Sequence, residues 1–278
     1  MLGSLLITLR EGLEAALIIG IILAYLASVG RRDQFRSVWL GTGLAIAVTL
    51  VAGGVIVWVF GGLSDQAKQI FEGMSGLLAV AVLSYMVIWM RRQARNIKVH
   101  MEAQVDRAVQ AGSMLAMVSL AFIIVVREGV ETVLFLFSFS RAGTTPAALL
   151  SGGLVGLGIA IAIAYAGYKG SRRIKLSTFF NVTGVLLIFL AAGLLAYGIH
   201  ELQEAGVFPV IQENVWNINH LLNEKAGVGS FLKTLFGYNG NPELLEIVLY
   251  LSYLASTFWY FSRPIKVKKE MKAAAETR

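Results

Sequence analysis

Seven apolar runs, each close to the roughly 20 residues that cross about 30 Å of hydrocarbon as a helix, leave this chain few ways to fold. They are Leu5–Val29, Val38–Leu63, Phe71–Met90, Ser113–Ser138, Ala147–Tyr168, Phe179–Ile199 and Leu244–Phe261. The runs are continuous, whereas a membrane barrel needs polarity that alternates with period two. The expectation is an all-α polytopic membrane protein of seven transmembrane helices, with the lipid bilayer as its first partner. Composition agrees: charged residues are 15% and the hydrophobic set 56%, where soluble domains carry roughly 25% charge. Arg10, Glu11 and Glu14 interrupt the first run, and Met1–Leu9 has no basic side chain. That run therefore reads as a retained span rather than a cleaved leader.

The chain has no cysteine, which removes disulfides, iron–sulfur ligation and thiolate metal sites. Its formal charge of +7 does not point to a nucleic acid. Most of the 24 Lys and Arg residues fall in the connections 30–37, 91–112 and 169–175 and in the tail 263–278. Those segments alternate with sparsely basic ones, and the positive-inside rule then places the N-terminus outside and the C-terminus in the cytoplasm. Acids show the opposite bias: Asp65, Glu72, Glu201, Glu204, Glu213, Glu224, Glu243 and Glu246 fall on the outer side. An acidic mouth there concentrates cations, although solvation of a long connection explains it equally well.

Arg10-Glu11-Gly12-Leu13-Glu14 recurs as Arg127-Glu128-Gly129-Val130-Glu131. Phe71-x-x-x-Ser75-Gly76 is echoed by Phe179-x-x-x-Thr183-Gly184, and Thr42-Gly43-Leu44 more weakly by Gly152-Gly153-Leu154. The repeating unit is then three helices. An odd unit inserts its second copy upside down, giving two inverted repeats with a site between them near the midplane. The expected layout is a single transmembrane domain over 1–278. Repeat one covers about 1–95 and repeat two about 113–200. An outer loop follows at 200–243, then a seventh span at 244–261 and a cytoplasmic tail at 263–278.

A charge at the centre of a spanning helix costs about 2.5–3.5 kcal/mol on insertion scales, and each motif places three there. Glu11 and Glu14 are three apart and share a helical face, as do Glu128 and Glu131. If the two helices meet, four carboxylates converge, a donor set suited to a hard cation. Arg10 reaches Glu14 and Arg127 reaches Glu131 one turn away, which reduces the repulsion in the empty site. Gly12 and Gly129 are expected to let the two motif helices approach closely. Three readings stand side by side. One is a metal-cation permease, and another a structural scaffold locked by Arg–Glu pairs. The third is a membrane metalloenzyme with a carboxylate-bridged centre, which lacks the Glu-x-x-His pattern usual for such sites.

This pair of Arg-Glu-Gly-x-Glu motifs, on the first and fourth of seven spans, resembles the oxidase-dependent iron permease family of fungi and bacteria. The resemblance implies that Glu11, Glu14, Glu128 and Glu131 handle iron, supported by Arg10 and Arg127. It implies iron as transported substrate with no resident cofactor, and a bacterial inner-membrane location. It further implies Fe(III) as the permeating form, produced from Fe(II) by a separate extracytoplasmic protein. Val130 departs from the leucine usual in the motif. The Asp-Ala-Ser-Glu outer-loop motif of fungal members is absent, and Glu201-Leu202-Gln203-Glu204 after His200 stands in that region. Lead-uptake proteins share the motif class, so lead is the alternative cargo. Glu72, His200, Glu201 and Glu204 form a candidate outer loading site. Segment 206–242, with Phe208, Trp216, Phe231 and Phe236, is expected along the outer interface. Gly152-x-x-x-Gly156 reads as a helix-packing signal.

Overall fold

The computed structural model describes residues 1–93, 97–142, 144–168, 176–212, 214–224 and 227–262. The basic stretch 169–175, Arg95, Glu213, Lys225 and the tail 263–278 lie outside the described residues. Among the described residues all regular structure is helical: α1 (Leu2–Ser28), α2 (Phe35–Gly61), α3 (Asp65–Gln93), α4 (Ile97–Gln110), α5 (Met114–Arg141), α6 (Pro146–Tyr168), α7 (Leu176–Glu204), α8 (Gly227–Phe236) and α9 (Leu244–Ser262). Helices are the natural outcome for apolar runs that must satisfy their own backbone hydrogen bonds in lipid. Among the described residues, five helices, α2, α3, α6, α7 and α9, are long and apolar enough to cross a membrane. The other two long helices, α1 and α5, carry the duplicated motif.

Helix ends follow local chemistry. The Ser113 hydroxyl accepts a hydrogen bond from the Leu115 N–H at the start of α5, satisfying one of the free donors of the first turn. Pro146 opens α6, where no N–H is required. Gly30, at φ 75°, ends α1: the Arg31 N–H donates to Leu26 O and the Gly30 N–H to Ala27 O. That paired closure needs a left-handed residue, which glycine adopts without a steric penalty.

Three pairings are the most extensive: α1 along α6, α2 along α5 and α3 along α7. Helix α9 packs on α7, and the Ser84 and Tyr253 hydroxyls stand 2.8 Å apart between α3 and α9. Two helices arise inside expected connections. Helix α4 inserts Met101 and Val105 among Ile18, Ile22 and Met117, and the Tyr25 hydroxyl hydrogen-bonds the Asp106 carboxylate. Helix α8 packs on α7 within the 206–242 segment.

The motif glycines do not sit between α1 and α5, as the sequence suggests. A Cβ on Gly12 would lie 3.1 Å from both Ala160 Cβ and Leu157 Cδ1 on α6, and one on Gly129 would overlap Thr49 Oγ1 on α2. The reason is helical geometry: neighbouring residues project about 100° apart. With Glu11 and Glu128 turned toward each other, each glycine turns to the helix on the flank. Gly152 and Gly156 are likewise used inside the molecule. A Cβ at either would overlap the α1 backbone, at Met1 O and Leu5 O respectively.

Candidate metal-cation site

The two motifs meet. One carboxylate oxygen each from Glu11, Glu128 and Glu131 lie within 4.8 Å of one another. Glu11 is 2% exposed, Glu128 4%, and the Glu131 side chain 15%. Apolar layers flank this group on both sides along the helices. Ile7, one turn before Glu11, joins Phe135, Leu83, Met86 and Leu187 in one cluster. Ile18, Ile22, Ala121, Val125 and Met117 belong to the other. The charged layer is thus held between two packed apolar regions.

The fourth glutamate stands differently. Glu14 is outside the close triplet, and its Oε1 lies 3.2 Å from Arg10 Nε, both side chains buried. In the second motif Arg127 Nε lies 3.1 Å from Glu131 Oε1 and 3.8 Å from Glu128 Oε1, with the Arg127 side chain 45% exposed. Its guanidinium also faces the Trp89 ring, 5.2 Å from the centroid. Both oxygens of Glu11, Oε2 of Glu128 and Oε2 of Glu131 are buried without a hydrogen-bond partner. Leaving a buried polar group unsatisfied costs about 1–3 kcal/mol, and more when it is charged. A multivalent cation among these oxygens removes that cost for several of them together.

The expected outer residues do not gather into one ligand set. The Tyr197 hydroxyl donates to Glu72 Oε2 at 2.6 Å. Glu204 takes a hydrogen bond from Gln69 Nε2 at 3.0 Å, and its other oxygen lies 3.3 Å from His200 Nε2. His200 Nδ1 instead faces Glu246 Oε1 at 3.0 Å and Glu243 Oε1 at 3.7 Å. Asn239 Nδ2 donates to the second Glu246 oxygen at 2.9 Å. His200, Glu243 and Glu246 thereby form a second donor cluster. It borders a cavity of about 650 Å³, lined also by Glu201, Tyr197, Arg141 and the 219–241 segment. Glu243 and Glu246 stand among the outer acids in the sequence but outside the candidate loading site of Glu72, His200, Glu201 and Glu204. Their signal was present: two acids three apart at the start of an apolar run, the spacing of the motif glutamates.

Residues 1–262 match the model of the iron permease FTR1 family. The chain belongs to the iron permease FTR1 family. A protein of Archaeoglobus fulgidus with no assigned role is 37% identical over 264 residues, covering 92% of each chain. The ferrous iron permease EfeU of Yersinia pestis is 35% identical over 261 residues, covering 93% of this chain and 92% of its own. That of Escherichia coli O157:H7 is 35% identical over 263 residues, covering 93% and 94%. No solved structure matches the chain. Membership in a permease family fits the apolar helices: this is a multi-pass membrane protein of the iron-transport class.

Proposed function

We propose that the chain imports iron through a carboxylate site built by both motifs, with Glu11, Glu128 and Glu131 as first ligands and Glu14 in reserve. The observation that carries this reading is the convergence of three carboxylates, two buried and one partly buried, with unpartnered buried oxygens from two separate helices. A salt-bridge scaffold requires each acid to be paired, and Glu11 has neither oxygen hydrogen-bonded. An all-oxygen anionic set favours a hard, highly charged ion. That supports Fe(III) as the permeating form; its production from Fe(II) by a separate extracytoplasmic protein is carried over from the family resemblance alone.

Seven spans in two inverted three-helix repeats plus a seventh helix are part of this proposal. Under that symmetry the α1–α6 pair is equivalent to the α5–α2 pair, and α3–α7 is equivalent to itself. These are the three most extensive pairings. Gly12 on Ala160 and Gly129 on Thr49 are matching contacts in the two halves, which supports the same arrangement. The N-terminus lies outside and the C-terminus in the cytoplasm, across a bacterial inner membrane. Glu72, His200, Glu201 and Glu204, now joined by Glu243 and Glu246, form the outer mouth and raise the local cation concentration.

Purified protein in sealed vesicles tests the function. Radioactive iron is offered as Fe(II) or Fe(III), with and without an oxidant, beside Pb(II). Accumulation of iron that exceeds protein-free vesicles and disappears in Glu11→Gln supports the reading. Uptake of Pb(II) alone makes lead the cargo, and no uptake of any ion sinks the permease assignment for the isolated chain.

A further inference from the structure

The two motifs are alike in sequence and unlike in surroundings. Arg10 is 1% exposed and its ion pair with Glu14 is sealed. Arg127 is 45% uncovered, lies 3.8 Å from Glu128 and 3.1 Å from Glu131, and faces Trp89. The close carboxylate triplet includes both Arg127-paired glutamates and excludes the Arg10-paired one. A cation arriving among Glu11, Glu128 and Glu131 meets Arg127 as its direct electrostatic competitor. Arg127 has room to withdraw, and an aromatic face against which to rest. Arg10 is enclosed, with its Nε 3.2 Å from Glu14 Oε1.

We propose that Trp89 is a positioning residue for Arg127, holding the guanidinium as an exchangeable counter-cation that leaves Glu131 when the transported metal binds and returns when it departs. This rests on the carboxylate site proposed above and assigns different work to its two arginines. The physical argument is one of relative energies. A multivalent cation outweighs the single charge of Arg127 at carboxylates the two would share, and the guanidinium is not enclosed on every side. The face of an indole attracts a guanidinium within about 6 Å of its centroid, so the withdrawn cation is not left without a partner. Arg10 lacks that freedom, because separating a buried pair leaves an uncompensated charge on each side. Trp89 lies on α3, outside both motifs, and the motif spacing alone gives no hint of it.

Removing the indole face leaves the guanidinium with the glutamates as its main partners, so the metal competes less well. Trp89→Ala is expected to raise the half-saturating iron concentration between about twofold and thirtyfold, the range a cation–π contact spans. Trp89→Phe, which keeps an aromatic face, recovers most of that loss. A direct readout uses the native ring. With Trp39, Trp58, Trp216 and Trp259 replaced by Phe, Trp89 is the sole indole. Its emission is followed while Ga(III), a diamagnetic hard trivalent ion, is titrated into the purified protein and bound gallium is counted. The emission is expected to shift in step with bound Ga(III), and the shift to vanish in Arg127→Lys or to shrink strongly there. Gallium bound to the glutamates with unmoved Trp89 emission overturns this inference and leaves the carboxylate site standing. Binding that is indifferent to Glu11→Gln and Glu131→Gln overturns both. Should Trp89→Ala fail to fold, the emission titration and the Trp89→Phe curve decide alone.

Discussion

At the scale of single residues, the proposed site is a balance between crowded carboxylates and two arginines that are not interchangeable. Glu→Gln at 11, 128 or 131 removes a ligand charge while keeping size, and relieves repulsion among neighbours. Each is expected to lower initial iron uptake about tenfold or more, the loss of one charge-assisted contact, at normal protein abundance. Uptake assays beside quantitative immunoblots check this, and native rates in two of the three variants sink the proposed cage. The arginines separate in stability instead. Arg10→Ala strands Glu14 in a sealed environment, where breaking a pair costs about 3–5 kcal/mol. Arg127→Ala removes a side chain that is 45% uncovered, so less packing is lost with it. Thermal unfolding of the detergent-solubilised proteins is expected to show a large drop for the first and a small one for the second. Equal drops contradict the difference in enclosure. The pairing of each arginine one turn down its own helix was legible from spacing alone. Which glutamates meet was not, because that depends on how α1 and α5 are rotated against α6 and α2.

At the scale of elements, each apolar run became one helix, since length and continuous apolarity leave a membrane segment no alternative. Helices α4 and α8 were not legible. Helix α4 reads as a charged connection: its packing face, Met101, Val105, Ala108 and Val109, is too short to span a bilayer and is interrupted by His100, Glu102, Asp106 and Arg107. The role of the glycines was half legible. Gly152-x-x-x-Gly156 announced close packing, and only the structure supplies α1 as the partner, with Thr8 and Leu5 against Gly156. Gly156→Ala pushes a methyl group into the Leu5 carbonyl, an overpacking that costs about 1–3 kcal/mol. It also displaces the helix that carries Glu11 and Glu14. Gly158, on the same helix, has open space within 4 Å of where a methyl group would stand, so Gly158→Ala is the matched control. The unfolding temperature and uptake should both fall for the first and hold for the second. Identical behaviour removes the α1–α6 contact as a determinant of site geometry.

At the scale of the whole molecule, the proposed reading is a charged layer between two apolar layers, with an acidic mouth on the side proposed as outer. Orientation is tested first. Reporter fusions at Gln34 and after the C-terminus are expected to score cytoplasmic, and fusions near Ala67, Thr144 and Val228 outside. A cytoplasmic score at Val228 breaks the inverted repeat. The outer mouth makes the sharper prediction. Glu201 lines the cavity, and Glu204 links Gln69 on α3 to His200 on α7. If these carboxylates serve to gather cations, their effect is greatest when metal is scarce and fades once the inner site is saturated. Glu201→Gln combined with Glu204→Gln is therefore expected to raise the half-saturating iron concentration severalfold and leave the maximal rate nearly unchanged. Ions screen exposed charges beyond about 10 Å at 0.1 M salt, so the native advantage should narrow as ionic strength rises. Uptake curves for the native and doubly substituted proteins at two ionic strengths separate the outcomes. Superimposable curves reduce the mouth to ordinary solvation of a helix end. A collapse of the maximal rate instead makes Glu201 or Glu204 part of the permeation path itself, with the cation passing through their ligand field rather than merely gathering above it.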